Sequence, residues 1–445
     1  MKTHADTDTR LNDSPLPKPF YRKLGFQIMV SLVLGIAVGF IFPKFGASLK
    51  VLGDIFLSLV KAGVGPLVFL TIVIGIASAG DVKSAGRVGL RAIIYFEVVS
   101  TLAIVVGLVA GNLMHIGKGV TIVPAGGALP ANAAQAAPPT FLSFVQHMVP
   151  DNFIGAFAKG ELLQVVVLAV IVGIGILTLR PERRAVVTEG LDHVAEVLFS
   201  FINIIMKLAP IGTFGAIAYS VGSNGSAILL ALAQLILSYY ALVAFFVIVV
   251  IGAILRLSGI NVFRFARYIK EELVLTLGTA SSEPALPRLL VKLEDLGCSK
   301  QSVGLVLPTG YAFNLDGTSL YMSLGILFLA NVYGVPLSID QQIGMLLLML
   351  LTSKGAATVS GGTFVVFAAT VTSSGLIPVE GLALMFGVYR FMSMATAFCN
   401  VFGNCAATVV IAKWAGEFDA GQARDELYPE QAGKPLTKSV VASQY

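Results

Sequence analysis

The stretch PTGYAFNLDGTSLYM at residues 308–322 decides how this chain folds, because it places Asn314 and Asp316 inside a long apolar run. An aspartate within a membrane span is costly and usually has a function. If the helix unwinds at NLDG, backbone carbonyls and the Asp316 carboxylate can together coordinate a small hard cation such as Na⁺. The alternative is a structural aspartate that is hydrogen-bonded to neighbouring helices. The stretch predicts a broken membrane helix around a polar centre.

The composition of the whole chain is typical of a polytopic membrane protein. Its 445 residues are 56% hydrophobic and only 12% charged, whereas soluble domains contain about 25% charged residues. The net charge of +5 is expected to reside in Lys and Arg of cytoplasmic loops, so nucleic acid is not an expected partner. The three cysteines form no CxxC motif and no cluster with histidine, so neither a disulfide nor a transition-metal site is expected.

Six apolar segments in the first part of the chain are long enough to cross a bilayer, for which about 20 residues suffice. They are 24–43, 51–79, 92–114, 161–179, 194–220 and 227–255. Loops rich in Lys and Arg alternate along this series, which places the N-terminus in the cytoplasm and the loop 115–160 outside. The first 19 residues have charge and proline but no apolar core, so we expect a cytoplasmic tail and not a signal peptide.

The last third does not fit simple crossings. The apolar piece at 273–287 has basic residues on both flanks and contains GTASSEPALP, so we expect 261–297 to form a re-entrant hairpin from the cytoplasm. A second polar interruption, SKGAATVSGGT at 353–363, has outer flanks without Lys or Arg, which indicates a matching hairpin from outside. Two helices interrupted by polar backbone, 303–331 and 381–414, complete a predicted count of about eight spans with both termini inside.

Polar side chains recur along the final predicted helix at spacings of three and four residues. They are Ser393, Thr396, Asn400 and Asn404, and this spacing puts them on one helix face. Hydrogen bonding between helices explains such a stripe at least as well as a ligand site does. The other polar interruptions nearby favour the ligand site. Arg390 lies one position off the stripe, and it either pairs with a buried group, reaches a solute or extends to the interface.

Two further observations bear on function. The hairpin sequence Ser281-Ser282-Glu283 offers hydroxyls and backbone N–H groups at the end of a half-helix, an arrangement that suits a carboxylate. The four histidines lie outside the polar interruptions, and HExxH, GxSxG and Walker motifs are absent from the sequence. An enzyme is therefore not expected.

Four ordered motifs resemble those of a known family. SSEPALPRL, PTGYAFNLDGTSLYM, TSKGAATVSGGTF and NVFGNCAATVVIAKW occur in the order and at the separations seen in bacterial C4-dicarboxylate/cation symporters of the glutamate transporter superfamily. The resemblance covers the chain from about Lys18 to Trp414. It implies an all-α, elevator-type fold with about eight transmembrane helices and two re-entrant hairpins. It also implies a homotrimer in the bacterial inner membrane, with no cofactor besides a coupling cation, Na⁺ or H⁺.

The resemblance divides the chain into four parts. Residues 1–19 and 416–445 are cytoplasmic tails, 20–260 hold the first six transmembrane helices, which supply the scaffold and part of the mobile unit, and 261–415 form the transport core.

The same resemblance implies the binding residues. Substrate contacts fall on Ser281, Ser282, Thr318, Val359, Ser360, Gly361, Ser393, Thr396 and Asn400. Cation contacts fall on Ser100, Gly310, Asn314, Asp316, Ser353, Asn400 and Asn404.

The chain departs from the pattern of the family at several of these positions. Amino-acid carriers of the superfamily have aspartates at the positions of Asn404 and Ser393. The dicarboxylate branch has asparagine and serine there, as this chain does. One cation site is thus weaker, coupling to H⁺ becomes possible, and a substrate amine has no obvious partner. Thr396 replaces the arginine that receives the distal carboxylate of the substrate, and Tyr389 and Met394 replace acidic residues of the dicarboxylate branch.

These observations predict a secondary active symporter that imports a small organic acid. C4-dicarboxylates such as succinate, fumarate and malate come first by the resemblance. Because Thr396 offers one hydroxyl where an arginine offers two charged donors, the alternative is a neutral or monocarboxylate solute, such as a neutral amino acid or a hydroxy or keto acid. A passive channel is the alternative from a different class, disfavoured because paired hairpins suit alternating access better than a continuous pore.

Overall fold

A computed structural model of the protein describes residues 24–84, 87–120, 149–158, 162–225, 227–353 and 362–428. Throughout these residues the chain is helical, with one isolated β-bridge, between Cys298 and Phe418, and no strand. The helices in the first part are α1 (Leu24–Ile41), α2 (Pro43–Ser48), α3 (Lys50–Ser84), α4 (Arg87–Met114), α5 (Phe153–Ala158), α6 (Leu162–Leu177), α7 (Pro181–Met206), α8 (Ala209–Asn224) and α9 (Ala227–Leu257), which contains the π-helical turn Phe246–Ile251. The predicted all-helical class is confirmed.

The predicted span 194–220 is not one straight helix. It is shared between α7 and α8, which meet at Lys207 and Leu208 with a bend of 50°. Pro210 is the second residue of α8, and proline has no N–H to donate to the preceding turn and disfavours helical backbone before it. The apolar pattern runs through this break, which is why a count of apolar residues does not detect it.

The first predicted hairpin is present as two helical arms around a turn. Its parts are α10 (Val262–Tyr268), α11 (Lys270–Thr279), a 3₁₀ turn (Glu283–Ala285) and α12 (Leu286–Asp295). The base of the hairpin is closed by Lys292, whose Nζ lies 2.8 Å from a carboxylate oxygen of buried Glu272. Tyr268 also donates a hydrogen bond to the carbonyl of Lys292. These contacts hold the outer ends of the arms together; entry from the cytoplasm stays a prediction.

The second half of the core contains the predicted broken helix. It consists of α13 (Lys300–Phe313) and α14 (Asp316–Val332), separated by Asn314 and Leu315, so the predicted break is confirmed. The arms of the second predicted hairpin are α15 (Ile339–Ser353) and α16 (Gly362–Ser374), which pack against each other. Of the predicted polar tip, 353–363, residues 354–361 lie outside the described residues.

The last long helix, α17 (Gly381–Ala415), is continuous over 35 residues, so the predicted interruption of 381–414 is wrong. The side-chain oxygen of Asn400 accepts a hydrogen bond from the backbone N–H of Gly317, and that of Asn404 accepts one from the side chain of Asn314 at the break. One irregular backbone is therefore enough for the polar centre, and α17 keeps all of its own helical hydrogen bonds.

Part of the segment predicted as the C-terminal tail is folded onto the first hairpin. Helix α18 (Ala420–Leu427) packs against α10 and α12. The Glu417 carboxylate accepts hydrogen bonds from the hydroxyls of Ser299 and Ser302.

Four helical stretches are long and apolar enough to span a membrane, namely Val88–Met114, Ala227–Leu257, Lys300–Val332 and Gly381–Ala415, and the bent pair α7–α8 adds a fifth. This count concerns the described residues alone, and the predicted total of about eight spans stays a prediction.

Candidate functional site

The site is built around the break between α13 and α14. Asn314 and Leu315 leave the helical conformation, with φ/ψ of −108°/76° and −107°/59°. The amide of Asn314 still donates to the carbonyl of Gly310 and so ends α13. Asn314 and Asp316 are both completely buried. The break therefore holds an amide and a carboxylate inside the protein, where each needs a polar or cationic partner.

Glycines allow α17 to approach this break closely. A Cβ atom on Gly310 would lie 2.5 Å from Oδ1 of Asn404, and one on Gly317 would lie 2.5 Å from the carbonyl oxygen of Thr396. A Cβ on Gly403 would collide with the Asp316 carboxylate. The close approach brings the asparagines of α17 within reach of the backbone and side chains at the break.

Three predicted cation residues meet directly. Nδ2 of Asn314 donates to Oδ1 of Asn404 over 3.0 Å, and it lies 3.4 Å from a carboxylate oxygen of Asp316. Gly310 packs against Asn404, as described above. The buried Oδ1 of Asn314 has no hydrogen-bond donor among the residues that the structure describes. Buried amide and carboxylate oxygens are the ligands that hard cations prefer, so this set of residues fits a coupling cation.

The other predicted cation residues are less directly placed. Ser100 is buried in α4, and its hydroxyl has no hydrogen-bond partner within the described residues. Helix α4 packs against both α13 and α14, so it borders the residues at the break. Ser353 ends α15, and its side chain lies outside what the structure describes. In the described part of the chain, no three His, Cys, Asp or Glu side chains form a group that could hold a metal ion.

Two predicted substrate residues, Thr318 and Asn400, lie together beside the cation residues. Oδ1 of Asn400 accepts a hydrogen bond of 2.8 Å from the amide of Gly317, and its Nδ2 lies 3.4 Å from Oγ1 of Thr318. Oγ1 of Thr318 is also 3.3 Å from Oγ1 of Thr363 in α16. The contacts of Thr318 are long for hydroxyl hydrogen bonds, so its hydroxyl is weakly bound. Thr363 is a neighbour that the sequence analysis missed.

The tip of the first hairpin reaches the same region. The carbonyl of buried Ser282 accepts a hydrogen bond from the hydroxyl of Tyr311, three residues before Asn314. Ser281 is partly exposed next to it. The second predicted tip, with Val359, Ser360 and Gly361, lies outside the described residues.

Thr396 lies against a residue that the sequence analysis did not single out. Its Oγ1 is 2.7 Å from the hydroxyl oxygen of Tyr239, a completely buried residue of α9. The Tyr239 hydroxyl also lies 2.9 Å from the carbonyl oxygen of Gly317. A buried phenol needs a polar partner, and a tyrosine in a largely apolar helix is the sequence signal for this contact.

Within the described residues, the side chain of Ser393 makes no hydrogen bond to this network. Its hydroxyl donates to the carbonyl of Arg390 within α17. The stripe of α17 thus splits by partner: Asn400 and Asn404 bind the break, Thr396 binds Tyr239, and Ser393 binds its own helix.

The chain is similar to known proteins along most of its length. The profile described as "Sodium:dicarboxylate symporter family" matches residues 24–414. A C4-dicarboxylate transport protein of Pseudomonas savastanoi pv. phaseolicola is 45% identical over 413 residues, covering 92% of this chain and 90% of the relative. Similar proteins of the same name come from Anaeromyxobacter dehalogenans strain 2CP-C, with 45% identity over 94% of this chain and 97% of the relative, and Rhodopseudomonas palustris, with 45% identity over 96% of both.

Proposed function

Because this chain belongs to the sodium:dicarboxylate symporter family, we propose that it is a secondary active symporter that imports small organic acids with Na⁺ or H⁺. It is a membrane transport protein and not an enzyme. The names of its relatives support C4-dicarboxylates, such as succinate, fumarate and malate, as the first substrates to test.

The proposal rests on one observation: the short segment 316–318 contributes residues to two neighbouring groups of polar side chains. Asp316 forms a cation cluster with Gly310, Asn314 and Asn404. Thr318 and Asn400 form a solute cluster, and Gly317, between Asp316 and Thr318, donates its amide to Asn400. A cation that pulls on Asp316 moves the peptide that Asn400 holds. Occupation of one cluster therefore changes the geometry of the other, which is the requirement for coupled binding.

Electrostatics gives this coupling its direction. Asp316 is completely buried, and a buried carboxylate disfavours a second negative charge nearby. Two like charges 4 Å apart repel by about 1 kcal/mol in water and about 4 kcal/mol near a protein surface. An anionic solute beside Thr318 therefore requires a cation at the Asp316 cluster, and the two bind together.

A neutral or monocarboxylate solute is the second candidate, because of the surroundings of Thr396. Its hydroxyl is engaged with Tyr239 and with the carbonyl of Met392. A carboxylate in a dry site needs a paired charge or several donors. The position that corresponds to the arginine of the resembled family offers neither without rearrangement.

The family and the exposed apolar surfaces support a proposal for the oligomeric state, the membrane location and the moving part of the protein. Helices of the first part expose large apolar side chains, among them Val98, Leu113, Leu230 and Leu237, which supports contact with lipid or with further copies of the chain. We infer a homotrimer in the bacterial inner membrane with both termini in the cytoplasm. In it, residues 261–415 move as a transport core, together with part of the first six helices (20–260), against the scaffold that the rest of those helices form.

Uptake into proteoliposomes tests the proposal. Vesicles that contain the purified protein are given labelled succinate under an inward Na⁺ gradient, an inward H⁺ gradient, or neither. A symporter accumulates succinate above the external concentration, and dissipating the driving gradient with a selective ionophore abolishes the accumulation. Flux that only equilibrates under every gradient would instead indicate a channel.

A further inference from the structure

A pair of buried hydroxyls, Tyr239 and Thr396, lies next to the solute cluster. Tyr239 is held in place by its ring, which packs edge-to-face against Tyr321 with centroids 6.1 Å apart. Gly317 connects the pair to the solute cluster, since its N–H binds Asn400 and its carbonyl faces Tyr239. The pair is thus one peptide unit away from Asn400 and Thr318.

Two protons serve three short contacts in this pair. Tyr239 lies 2.9 Å from the Gly317 carbonyl and 2.7 Å from Thr396, and Thr396 lies 2.9 Å from the carbonyl of Met392. Each contact needs one proton between its oxygens, and each hydroxyl supplies one. In every arrangement one contact brings two lone pairs together, so the pair is one donor short.

The hydroxyls can turn toward a solute at small cost. The carbonyls of Gly317 and Met392 lie within α14 and α17, where the amide four residues later is the regular helical partner. Neither carbonyl loses its last hydrogen bond when a hydroxyl turns away, so the free-energy cost of leaving a buried acceptor unpaired does not arise.

No cation of α17 compensates for the absence of charge at Thr396. Arg390 is six residues earlier, which corresponds to about 9 Å along the helix axis and a different face. The next cation of this helix, Lys413, donates to the carbonyl of Ser258.

We propose that Tyr239 and Thr396 form the far end of the solute site and that they select a solute whose far end carries a hydroxyl. A hydroxyl supplies the missing proton and also accepts one. A carboxylate brings only hydrogen-bond acceptors, together with a negative charge close to Asp316. A methyl group brings neither a donor nor an acceptor. This inference rests on the proposed function, and it narrows the organic acids to hydroxy acids.

Tyr240 provides a matched control on the same helix. Its hydroxyl donates to the carbonyl of Phe391 in α17 over 2.9 Å, but it is an exposed residue. Tyr240→Phe therefore removes the same chemical group, and a hydrogen bond between the same two helices, away from the proposed site.

The experiment uses four-carbon acids that differ only at the far carbon: butyrate, 4-hydroxybutyrate, 4-aminobutyrate and succinate. Their dissociation constants are measured from ligand-dependent thermal unfolding of the purified full chain in saturating Na⁺. One extra hydrogen bond corresponds to about tenfold in affinity. We expect 4-hydroxybutyrate to bind about tenfold more tightly than butyrate and more tightly than succinate. Tyr239→Phe should reduce the hydroxybutyrate-to-butyrate ratio to about one, whereas Tyr240→Phe should preserve it.

The outcomes separate this inference from the proposed function. If Tyr239→Phe does not fold, Thr396→Val removes the other hydroxyl of the pair. It too is expected to reduce the hydroxybutyrate-to-butyrate affinity ratio to about one. Tighter binding of succinate or 4-aminobutyrate to the wild type, or an unchanged ratio in the folded variant, overturns the inference. If cation-driven succinate uptake is nevertheless observed, the proposed function stands. If no acid of the series binds and none is accumulated, both are wrong.

Discussion

The helices of the first part and those of the core bury their surfaces in opposite ways. In the apolar window of the span Ala227–Leu257, 44% of the residues are buried, whereas 94% are buried in that of Lys300–Val332 and 89% in that of Gly381–Ala415. The buried core helices nevertheless have the lower mean hydropathy. Lipid offers no hydrogen-bond partner, so polar groups must be inside the protein and the most apolar helices can face the bilayer.

The difference shows where function can be built in such a chain. The α4 and α9 helices expose Val98 and Leu237, which need no specific partner. The α14 and α17 helices bury Asp316 and Asn404, which do need one. The same kind of substitution should therefore have a large effect in the core and a small one in the first part.

The largest difference between a substitution in the core and the same substitution in the first part is expected for an aspartate. Asp316→Asn removes the one full negative charge of the cation cluster, and losing a buried charge partner costs about 2–5 kcal/mol, or roughly thirtyfold to several thousandfold in affinity. We expect the Na⁺ or H⁺ concentration needed for half-maximal uptake to rise by at least about thirtyfold. Asp54→Asn is the control, because Asp54 pairs with Lys50 at the surface of α3. Equal cation dependence of the two variants would remove Asp316 from the site.

An ion pair gives the second comparison. Lys292→Met removes the cationic partner of Glu272, whose side chain is only 1% exposed. Because the Lys292 side chain is 27% exposed, the loss of about 3–5 kcal/mol that is typical of a fully buried pair is an upper limit. Lys50→Met breaks a partly exposed pair at 3.3 Å, for which about 0–1 kcal/mol is expected. Thermal unfolding in detergent should show a clear loss for the first variant only. Similar midpoints would mean that the base of the first hairpin contributes little to stability.

How much of this could be predicted from the sequence depended on where the signal lay. The break at Asn314 and the first hairpin were predictable, because polar residues interrupt apolar runs there. The kink near Pro210 and the continuous α17 were not, because apolar counts ignore single prolines and polar side chains need not break a helix. Thr363 and Tyr239 were missed because contacts between distant helices leave no local pattern.

Two glycines of the broken helix give the smallest expected difference. Gly317→Ala places a Cβ 2.5 Å from the Thr396 carbonyl, and overpacking of this kind costs about 1–3 kcal/mol. Gly304→Ala in α13 meets nothing within 4 Å, so it should be neutral or stabilising by about 0.4–1 kcal/mol. The unfolding midpoint should therefore fall for Gly317→Ala and should stay unchanged or rise for Gly304→Ala. A stabilised Gly317→Ala would show that α14 and α17 leave room for a methyl group between them.

We propose that residues 316–318 link the cation cluster to the solute cluster. The most direct test is a double titration on one preparation: the dissociation constant of succinate at rising Na⁺ and the Na⁺ dissociation constant at rising succinate, repeated over pH without Na⁺. Linkage requires both constants to change by the same factor, and coupling between sites typically amounts to about 5–150-fold. We expect equal factors of this size for Na⁺ or for H⁺. A succinate affinity that is independent of both cations would contradict it.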